Sequence, residues 1–300
     1  MNALVDIDCS GNQTTRSLAL SHNRQLDLSR PCVMGILNVT PDSFSDGGRS
    51  ATVDGAVARA LRMIEDGAAI IDIGGESTRP GAETVALEEE LRRVIPVVTA
   101  LRARTDALIS VDTYKARVAE AALDAGADMI NDISAGRFDS AMTPLIADRE
   151  CAFIMMHMQG TPRDMQRAPA YADVVTDVRD FFVERLAASD ADGIDRARLV
   201  IDPGIGFGKT LAHNLALLCH VGDLTALGAP VLIGASRKSF ISNIYDRDSA
   251  PDQRLGGSLA AALMAVNGGA RIIRAHDVRE TVEALAVWRA LDGEGSHGTL

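Results

Sequence analysis

The sequence lacks several features that would assign a protein to a membrane or to an oxidising compartment. No apolar run approaches the roughly 20 residues that a membrane-spanning helix needs. Its four cysteines, Cys9, Cys32, Cys151 and Cys219, lie far apart and form no C-x-x-C pair. Neither a zinc knuckle nor a disulfide framework is indicated. Residues 1–10 also lack the basic and apolar stretches of a secretory signal, so we expect a cytoplasmic protein.

Basic residues are in the minority. The chain of 300 residues has 30 Lys and Arg against 41 Asp and Glu, which gives a formal net charge of -11. Proteins that bind nucleic acid or anionic membranes normally carry a basic face. Neither partner is therefore predicted, and an anionic small-molecule substrate would need a local cationic site.

The sequence does contain a regular series of short apolar runs. Eight such runs begin at residues 32, 69, 108, 129, 152, 199, 230 and 271. Their residues are apolar in succession, which is typical of parallel strands covered on both faces. Stretches with helical spacing, such as 53–67 and 278–291, separate them. This alternation predicts an α/β fold of the (β/α)8 TIM barrel type, with a doubly wound open sheet as the alternative.

The ends of the chain fall outside this pattern. We predict that residues 1–30 form an N-terminal extension, a polar lead-in that could fold as a short hairpin closing the bottom of the barrel. Residues 31–291 are predicted to form one catalytic domain, and the glycine-rich residues 292–300 a flexible tail.

Polar residues follow nearly every predicted strand. In (β/α)8 barrels the loops after the carboxyl ends of the strands carry the chemistry. A lone Asp after an apolar run is more often a helix cap, but a barrel mouth brings all such residues within reach of one ligand. The residues at these positions are Asn38, Asp72, Asp112, Asn131, Asp132, His157, Asp202, Ser236, Arg237, Lys238, Arg274 and His276.

Two other interpretations of these segments are weaker. The segment 204-GIGFGKT resembles a nucleotide-binding P-loop, but Pro203 stands where that motif requires glycine. His157 and His276 have no His or Cys partner at zinc-ligand spacing, so zinc is not predicted. His157 remains open between a packed core imidazole and a pocket wall.

Eight segments of the chain resemble, in order, the signature segments of the dihydropteroate synthase family. The resemblance extends from about Pro31 to Trp288. It implies a transferase of folate biosynthesis that joins 6-hydroxymethyl-7,8-dihydropterin pyrophosphate to p-aminobenzoate. The segments are 35-GILNVTPDSFSDGG, 72-DIGGESTRPGA, 110-SVDT, 130-INDISAG, 156-MHMQGTP, 201-IDPGIGFGK, 235-ASRKSF and 273-IRAHDV.

The resemblance also implies roles for individual residues. A buried carboxylate suits the donor edge of a pterin, and the residues expected to bind the pterin are Asp112, Asn131, Met156, Asp202, Phe207 and Lys238. Those expected at the pyrophosphate are Asn38, Thr78, Arg274 and His276, with Asn38 as a ligand of Mg2+. Those expected at p-aminobenzoate are Phe44, Thr78, Arg79, Pro80, Phe207, Lys238 and Ser239. The catalytic residues are then Asp112, Lys238, Arg274 and His276.

The loops 41-PDSFSDGG and 76-ESTRPGAET are long and polar, and we predict that they are lids that close over the substrates. The family resemblance also suggests a homodimer. Two other functions stay open at this point: a corrinoid-type pterin-binding methyltransferase domain, and a catalytically silent pterin-binding paralogue.

Overall fold

The computed structural model describes residues 16–21, 24–39, 49–77, 81–245 and 249–292. A two-stranded antiparallel hairpin, β1 (Ser17–Ala19) and β2 (Gln25–Asp27), precedes an eight-stranded parallel sheet. The strands of that sheet are β3 (Cys32–Asn38), β4 (Ile70–Gly74), β5 (Leu108–Asp112), β6 (Met129–Asp132), β7 (Ala152–Met156), β8 (Leu199–Asp202), β9 (Leu232–Ile233) and β10 (Ile272–Ala275).

The sheet curls into a barrel. Its strand order is β8-β7-β6-β5-β4-β3-β10-β9, and all pairs are parallel. A parallel bridge between Ile201 and Val231 joins the two edge strands. The backbone N–H of Ile201 also donates to the carbonyl oxygen of Pro230 at 3.0 Å. The predicted (β/α)8 barrel is therefore confirmed, and the open-sheet alternative is not needed.

Helices follow each barrel strand, as the sequence pattern predicts. Asp173, for example, begins α5 by accepting a hydrogen bond from the backbone N–H of Thr176 at 2.8 Å. The helices are α1 (Arg49–Glu65), α2 (Leu87–Arg102), α3 (Ala116–Asp124), α4 (Met142–Arg149), α5 (Val174–Ala191), α6 (Leu211–Cys219), α7 (Val221–Thr225), α8 (Ser239–Ile244), α9 (Leu255–Asn267) and α10 (Val278–Leu291). Within the described residues, none of them is long and apolar enough to cross a membrane.

Side chains alternate between the two faces of the barrel wall. One large apolar cluster lies between strands and helices and includes Val33 and Ile71. A second, smaller cluster fills the barrel interior and includes Met34 and Ile70, the residues next along the same strands. Because alternate residues of a strand share a face, this parity decides which polar residue on each strand points inward.

The N-terminal hairpin closes the amino end of the barrel. Leu18, Leu20 and Leu28 are buried and belong to the interior cluster. Asp128 fixes the hairpin by accepting from Arg24 at 2.6 Å. The expected hairpin is thus present, but the description of this region as a polar lead-in is wrong for these three leucines, which seal the barrel. Residues 1–15 and the predicted tail from residue 293 lie outside the described part of the chain, and the domain boundaries stay predictions.

Candidate active site

The carboxyl ends of the strands bring several of the predicted site residues together. Six of them lie on barrel strands at positions that alternate with interior apolar residues, so they face the inside of the barrel. Asp132 and the residue that follows β7, His157, fall on the opposite parity. The six inward-facing residues are Asn38, Asp112, Asn131, Met156, Asp202 and Arg274.

Arg274 is the hub of this cluster. Its Nε donates to Asp72 Oδ2 at 2.6 Å, and its Nη2 donates to Asp112 Oδ2 at 2.7 Å. Asn131 Nδ2 donates to the same Asp72 oxygen at 3.2 Å. Side chains from four different strands are therefore joined in one hydrogen-bonded network. Only 18% of the Arg274 side chain is exposed, so these bonds lie in a largely dry environment.

Burial changes the pKa of Asp112, the acid of this network that lies closest to the barrel mouth. Asp112 ends β5 and its side chain is 11% exposed. Burial raises the pKa of Asp112 to about 7, while the neighbouring Arg274 guanidinium acts in the opposite direction and Asp72 adds to the rise. A carboxyl group that changes protonation near neutral pH is typical of ligand-binding and catalytic positions.

Asp202 is a second buried carboxylate, at the end of β8. Its Oδ1 accepts from the backbone N–H of Gly204 at 2.7 Å. Burial raises the pKa of Asp202, and the charge of Lys238 opposes that rise. Gly204 has φ of 68°, and a Cβ at this position would lie 2.0 Å from the carbonyl oxygen of His157. The turn that orients Asp202 therefore requires glycine.

Lys238 lies near Asp202, in the loop between β9 and α8, as the residue immediately before α8. Its Nζ donates to the carbonyl oxygen of Ile205 and sits 4.6 Å from the centre of the Phe207 ring. Burial lowers the pKa of Lys238 to about 8, against the effect of Asp202. Phe207 borders a small apolar cluster that contains the buried Met156. This side of the mouth thus offers a flat apolar wall next to a cation and an anion, which suits a planar heterocycle with polar edges.

The other predicted residues lie around this centre. A Cβ on Gly74 would be 3.8 Å from Asn38 Oδ1 and 3.8 Å from Asp112 Oδ2, so the Asn38 amide borders the acid cluster. His276 follows β10, and its Nδ1 lies 3.1 Å from Ser236 Oγ. Ser239 is exposed at the first residue of α8. Phe44, Thr78, Arg79 and Pro80 lie outside the described residues, as does the whole of the first predicted lid, residues 41–48.

The structure decides between the two interpretations of His157. This side chain is buried, packs edge-on against Phe181 with ring centres 4.8 Å apart, and lies with Nδ1 3.0 Å from Lys209 Nζ. Burial lowers its pKa to about 2. His157 is therefore a core imidazole. Lys209, whose role the sequence left open, also donates to the carbonyl oxygen of Phe207 at 2.9 Å and so fixes the loop after β8.

Sequence reasoning gave no role to Asp72, although it placed this residue among the polar strand ends. Asp72 is fully buried in the middle of β4, and its register partner on β5 is Ser110. Strand parity was the signal that could have found it, since Asp72 alternates with the interior Ile70. The same parity explains Asp132, which faces away and accepts hydrogen bonds from the turn at Ser134.

Comparison with known proteins gives a consistent picture. A family model described as pterin binding enzyme matches residues 34–276. The dihydropteroate synthase of Escherichia coli strain K12 is 50% identical over 265 residues, which are 88% of this chain and 93% of that protein. The corresponding protein of Haemophilus influenzae is 48% identical over 270 residues, or 90% of this chain and 97% of its own.

Solved structures agree with the sequence relatives. A Xanthomonas albilineans dihydropteroate synthase with 4-aminobenzoic acid has a TM-score of 0.86 at 52% identity and covers 93% of this chain and 98% of its own. A Yersinia pestis dihydropteroate synthase in a sulfonamide drug complex has a TM-score of 0.86 at 48% identity, covering 92% and 99%. The chain therefore belongs to the dihydropteroate synthase family of pterin binding enzymes.

Proposed function

We propose that the barrel mouth is where this enzyme joins 6-hydroxymethyl-7,8-dihydropterin pyrophosphate to p-aminobenzoate, releasing pyrophosphate and 7,8-dihydropteroate. The observation that carries the proposal is the single inward-facing cluster of acids and cations formed by Asp112, Asn131, Asp202, Lys238 and Arg274. The relatives named above are dihydropteroate synthases, and this chain matches them over nearly their whole length. No observation therefore favours the methyltransferase alternative.

In this proposal the pterin lies on the Asp202 side of the mouth. The ring offers amine and N–H donors along one edge, and a buried carboxylate such as Asp202 pairs strongly with them. Asn131 already donates to Asp72 through its amide nitrogen, so we assign its carbonyl oxygen to a ring N–H. Lys238 would then meet the ring carbonyl, while Met156 and Phe207 cover the ring faces.

The pyrophosphate is assigned to the Arg274 side. The guanidinium has five N–H donors in a fixed fork, and the hydrogen bonds to Asp72 and Asp112 use Nε and one terminal nitrogen. The remaining donors can face a phosphate oxygen without breaking the network. His276 and Asn38 lie on neighbouring strand ends, and Thr78 belongs to the part of the chain outside the described residues.

Asn38 would hold Mg2+ at this site. Among the described residues no cluster of His, Cys, Asp and Glu forms a protein cage for a metal. Mg2+ commonly takes one or two protein oxygens and completes its shell with water and substrate phosphates. The Asn38 amide oxygen, which borders the acid cluster, supplies such a ligand. When bound, the ion would neutralise charge on the leaving pyrophosphate.

The reaction breaks the bond between the pterin methylene carbon and the pyrophosphate oxygen, forms a bond from that carbon to the arylamine nitrogen, and releases one proton from that nitrogen to the leaving pyrophosphate or to water. Negative charge grows on the leaving group while positive charge grows on the methylene, so positioning and electrostatic stabilisation are the main requirements. Arg274 and His276 stabilise the former, and ionised Asp112 stabilises the latter through the ring. The arylamine is neutral at pH 7, and therefore no activated nucleophile of the triad type is needed.

We assign p-aminobenzoate to the outer part of the mouth. Phe207, Lys238 and Ser239 would contact it from the described residues, and Phe44, Thr78, Arg79 and Pro80 from the two loops. The Xanthomonas albilineans neighbour is described with 4-aminobenzoic acid and the Yersinia pestis neighbour with a sulfonamide drug, so compounds of both kinds bind relatives of this chain. The segment 76-ESTRPG resembles that of the ordinary enzyme rather than that of drug-resistant variants, so we propose that this chain also binds sulfonamides.

Two further properties belong to the proposal. Free thiols at Cys32, Cys151 and Cys219 favour a cytoplasmic enzyme, because reducing conditions keep cysteines unpaired. Apolar side chains exposed on the neighbouring helices α9 and α10, Met264 and Leu291 among them, favour association as a homodimer. Sedimentation that gives the mass of one chain at working concentration would contradict the dimer.

A binding experiment separates the two halves of the proposed site. Arg274→Ala should weaken the binding of the pterin pyrophosphate far more than that of a pterin without phosphates. Asp202→Ala should weaken both, because both ligands carry the ring. If Arg274→Ala weakens the two ligands equally, Arg274 serves the ring or the fold, and the assignment of the leaving group to this side is wrong.

A further inference from the structure

Asp72 contacts two proposed site residues with a single atom. Its Oδ2 accepts from Arg274 Nε at 2.6 Å and from Asn131 Nδ2 at 3.2 Å. These partners stand on β10 and β6, on either side of β4 and β5, and belong to the pyrophosphate and pterin halves of the proposed site. Asp72 itself is 0% exposed, so it lies below the ligand-facing residues.

The second carboxylate of the network cannot replace Asp72. Asp112 also holds Arg274, at 2.7 Å from Nη2, but it lies at the mouth and is assigned to the pterin. Any turn of Asp112 toward a ligand loosens its bond to the guanidinium. The bond from Arg274 Nε to Asp72 is unaffected by such a turn, because Asp72 is enclosed within the barrel.

We propose that Asp72 is a positioning residue of this enzyme, which holds Arg274 toward the diphosphate and Asn131 toward the pterin at the same time. It touches neither substrate and acts only through these two side chains. The proposal rests on the proposed function, because it takes from it the roles of Arg274 and Asn131.

A carboxylate suits this position better than an amide, although its burial there is costly. Its single oxygen receives two N–H donors, one of them cationic, and charge-assisted hydrogen bonds are shorter and stronger than neutral ones. Its other oxygen, Oδ1, is buried without a hydrogen-bond partner among the described residues, as is Oγ of the neighbouring Ser110. Burying the Asp72 carboxylate beside a second unpartnered polar atom costs free energy. The hydrogen bonds from Arg274 and Asn131 are what offset that cost.

The interpretation to be excluded is that Asp72 only stabilises the fold. Asp72→Asn keeps the shape of the side chain and removes its charge. Asp132→Asn is the matched control, since Asp132 is also a fully buried carboxylate at a strand end but faces away from the mouth and holds a turn. Both variants should be assayed by steady-state kinetics with each substrate varied.

We expect Asp72→Asn to lower kcat/KM for the pterin pyrophosphate by about 100-fold, the size of effect that a displacement of about 1 Å produces at an active site. With the pterin pyrophosphate saturating, the KM for p-aminobenzoate should stay unchanged, because Phe207 and Ser239 do not contact Asp72. Asp132→Asn should resemble the wild type in both respects. Equal losses in Asp72→Asn and Asp132→Asn, or a rise in KM for both substrates, would assign Asp72 to the fold.

A double-mutant cycle tests whether Asp72 acts through Arg274. When Arg274 is already replaced by Met, Asp72→Asn should lower kcat/KM for the pterin pyrophosphate by much less than about 100-fold. The remaining loss is the part that Asp72 causes through Asn131. The double variant removes the charges of Asp72 and Arg274 together, which proteins often tolerate well for a buried pair. It can therefore be compared with Arg274→Met even if Asp72→Asn alone fails to fold. If Asp72→Asn still lowers kcat/KM by about 100-fold when Arg274 is already replaced, the positioning role of Asp72 is wrong, while the proposed function is unaffected. Full activity of Arg274→Met would instead overturn the proposed role of Arg274 first.

Discussion

The assignment of the pterin to Asp202 predicts a large and specific loss of binding when this carboxylate is removed. Asp202 is buried, and the carboxylate is held in place by the N–H of Gly204 at 2.7 Å. Truncating one partner of a buried, hydrogen-bonded charge pair costs about 2 to 5 kcal/mol. Since about 1.4 kcal/mol is a factor of ten, Asp202→Ala should weaken pterin binding by about 30-fold to 4,000-fold.

Calorimetric titration with a non-reactive pterin measures this loss directly. Thermal unfolding of the same preparation is needed beside it, because the variant also loses the bond from Gly204, which is worth about 1 kcal/mol of stability. The control is Asp132→Ala, which removes a carboxylate on the other face of the barrel wall. Unchanged pterin affinity in a folded Asp202→Ala protein would refute the argument that this acid meets the ring.

Three further outcomes follow from the site. Gly204→Ala should destabilise the protein well beyond Gly193→Ala, because both glycines have positive φ but only a Cβ on Gly204 clashes, 2.0 Å from the His157 carbonyl oxygen; equal melting temperatures would contradict this. Burial raises the pKa of Asp112 from 3.8 to about 7, so its stabilising contribution is present at low pH and is lost as the pH rises through 7. Asp112→Asn should therefore gain stability over the wild type between about pH 4 and 8, and a constant difference across that range would count against it. Finally, magnesium pyrophosphate with a non-reactive pterin should tighten p-aminobenzoate binding by about 1 to 3 kcal/mol, whereas equal affinity with and without them would mean that the loops do not act as lids.

The barrel could be predicted from the sequence because its signal is repeated along the chain. A strand covered on both faces must be apolar at successive positions, and each barrel strand keeps that pattern. The hairpin at the amino end was harder to interpret. Its burial depends on Leu18, Leu20 and Leu28, with Leu26 partly buried beside them, and only the position of the barrel beneath this short segment shows what they cover.

The candidate site was predictable as a set of residues but not as a network. Asp112, Asn131, Asp202 and Arg274 were expected at one mouth, and the structure brings them together. The sequence could not show that two carboxylates hold Arg274. Arg274 on β10 and Asp72 on β4 are far apart along the chain and come together only when the barrel closes. Residues assigned to the loops at 41–48 and 78–80 lie outside the described residues, so their roles remain predictions.

In the proposed function, this barrel mouth condenses two substrates and releases pyrophosphate. The most direct measurement follows pyrophosphate release by the wild-type chain, with the dihydropterin pyrophosphate and p-aminobenzoate supplied singly and together. We expect pyrophosphate release only when both substrates are present, with one dihydropteroate formed for each pyrophosphate. Release at the same rate without p-aminobenzoate, or none with both substrates and Mg2+, would contradict it.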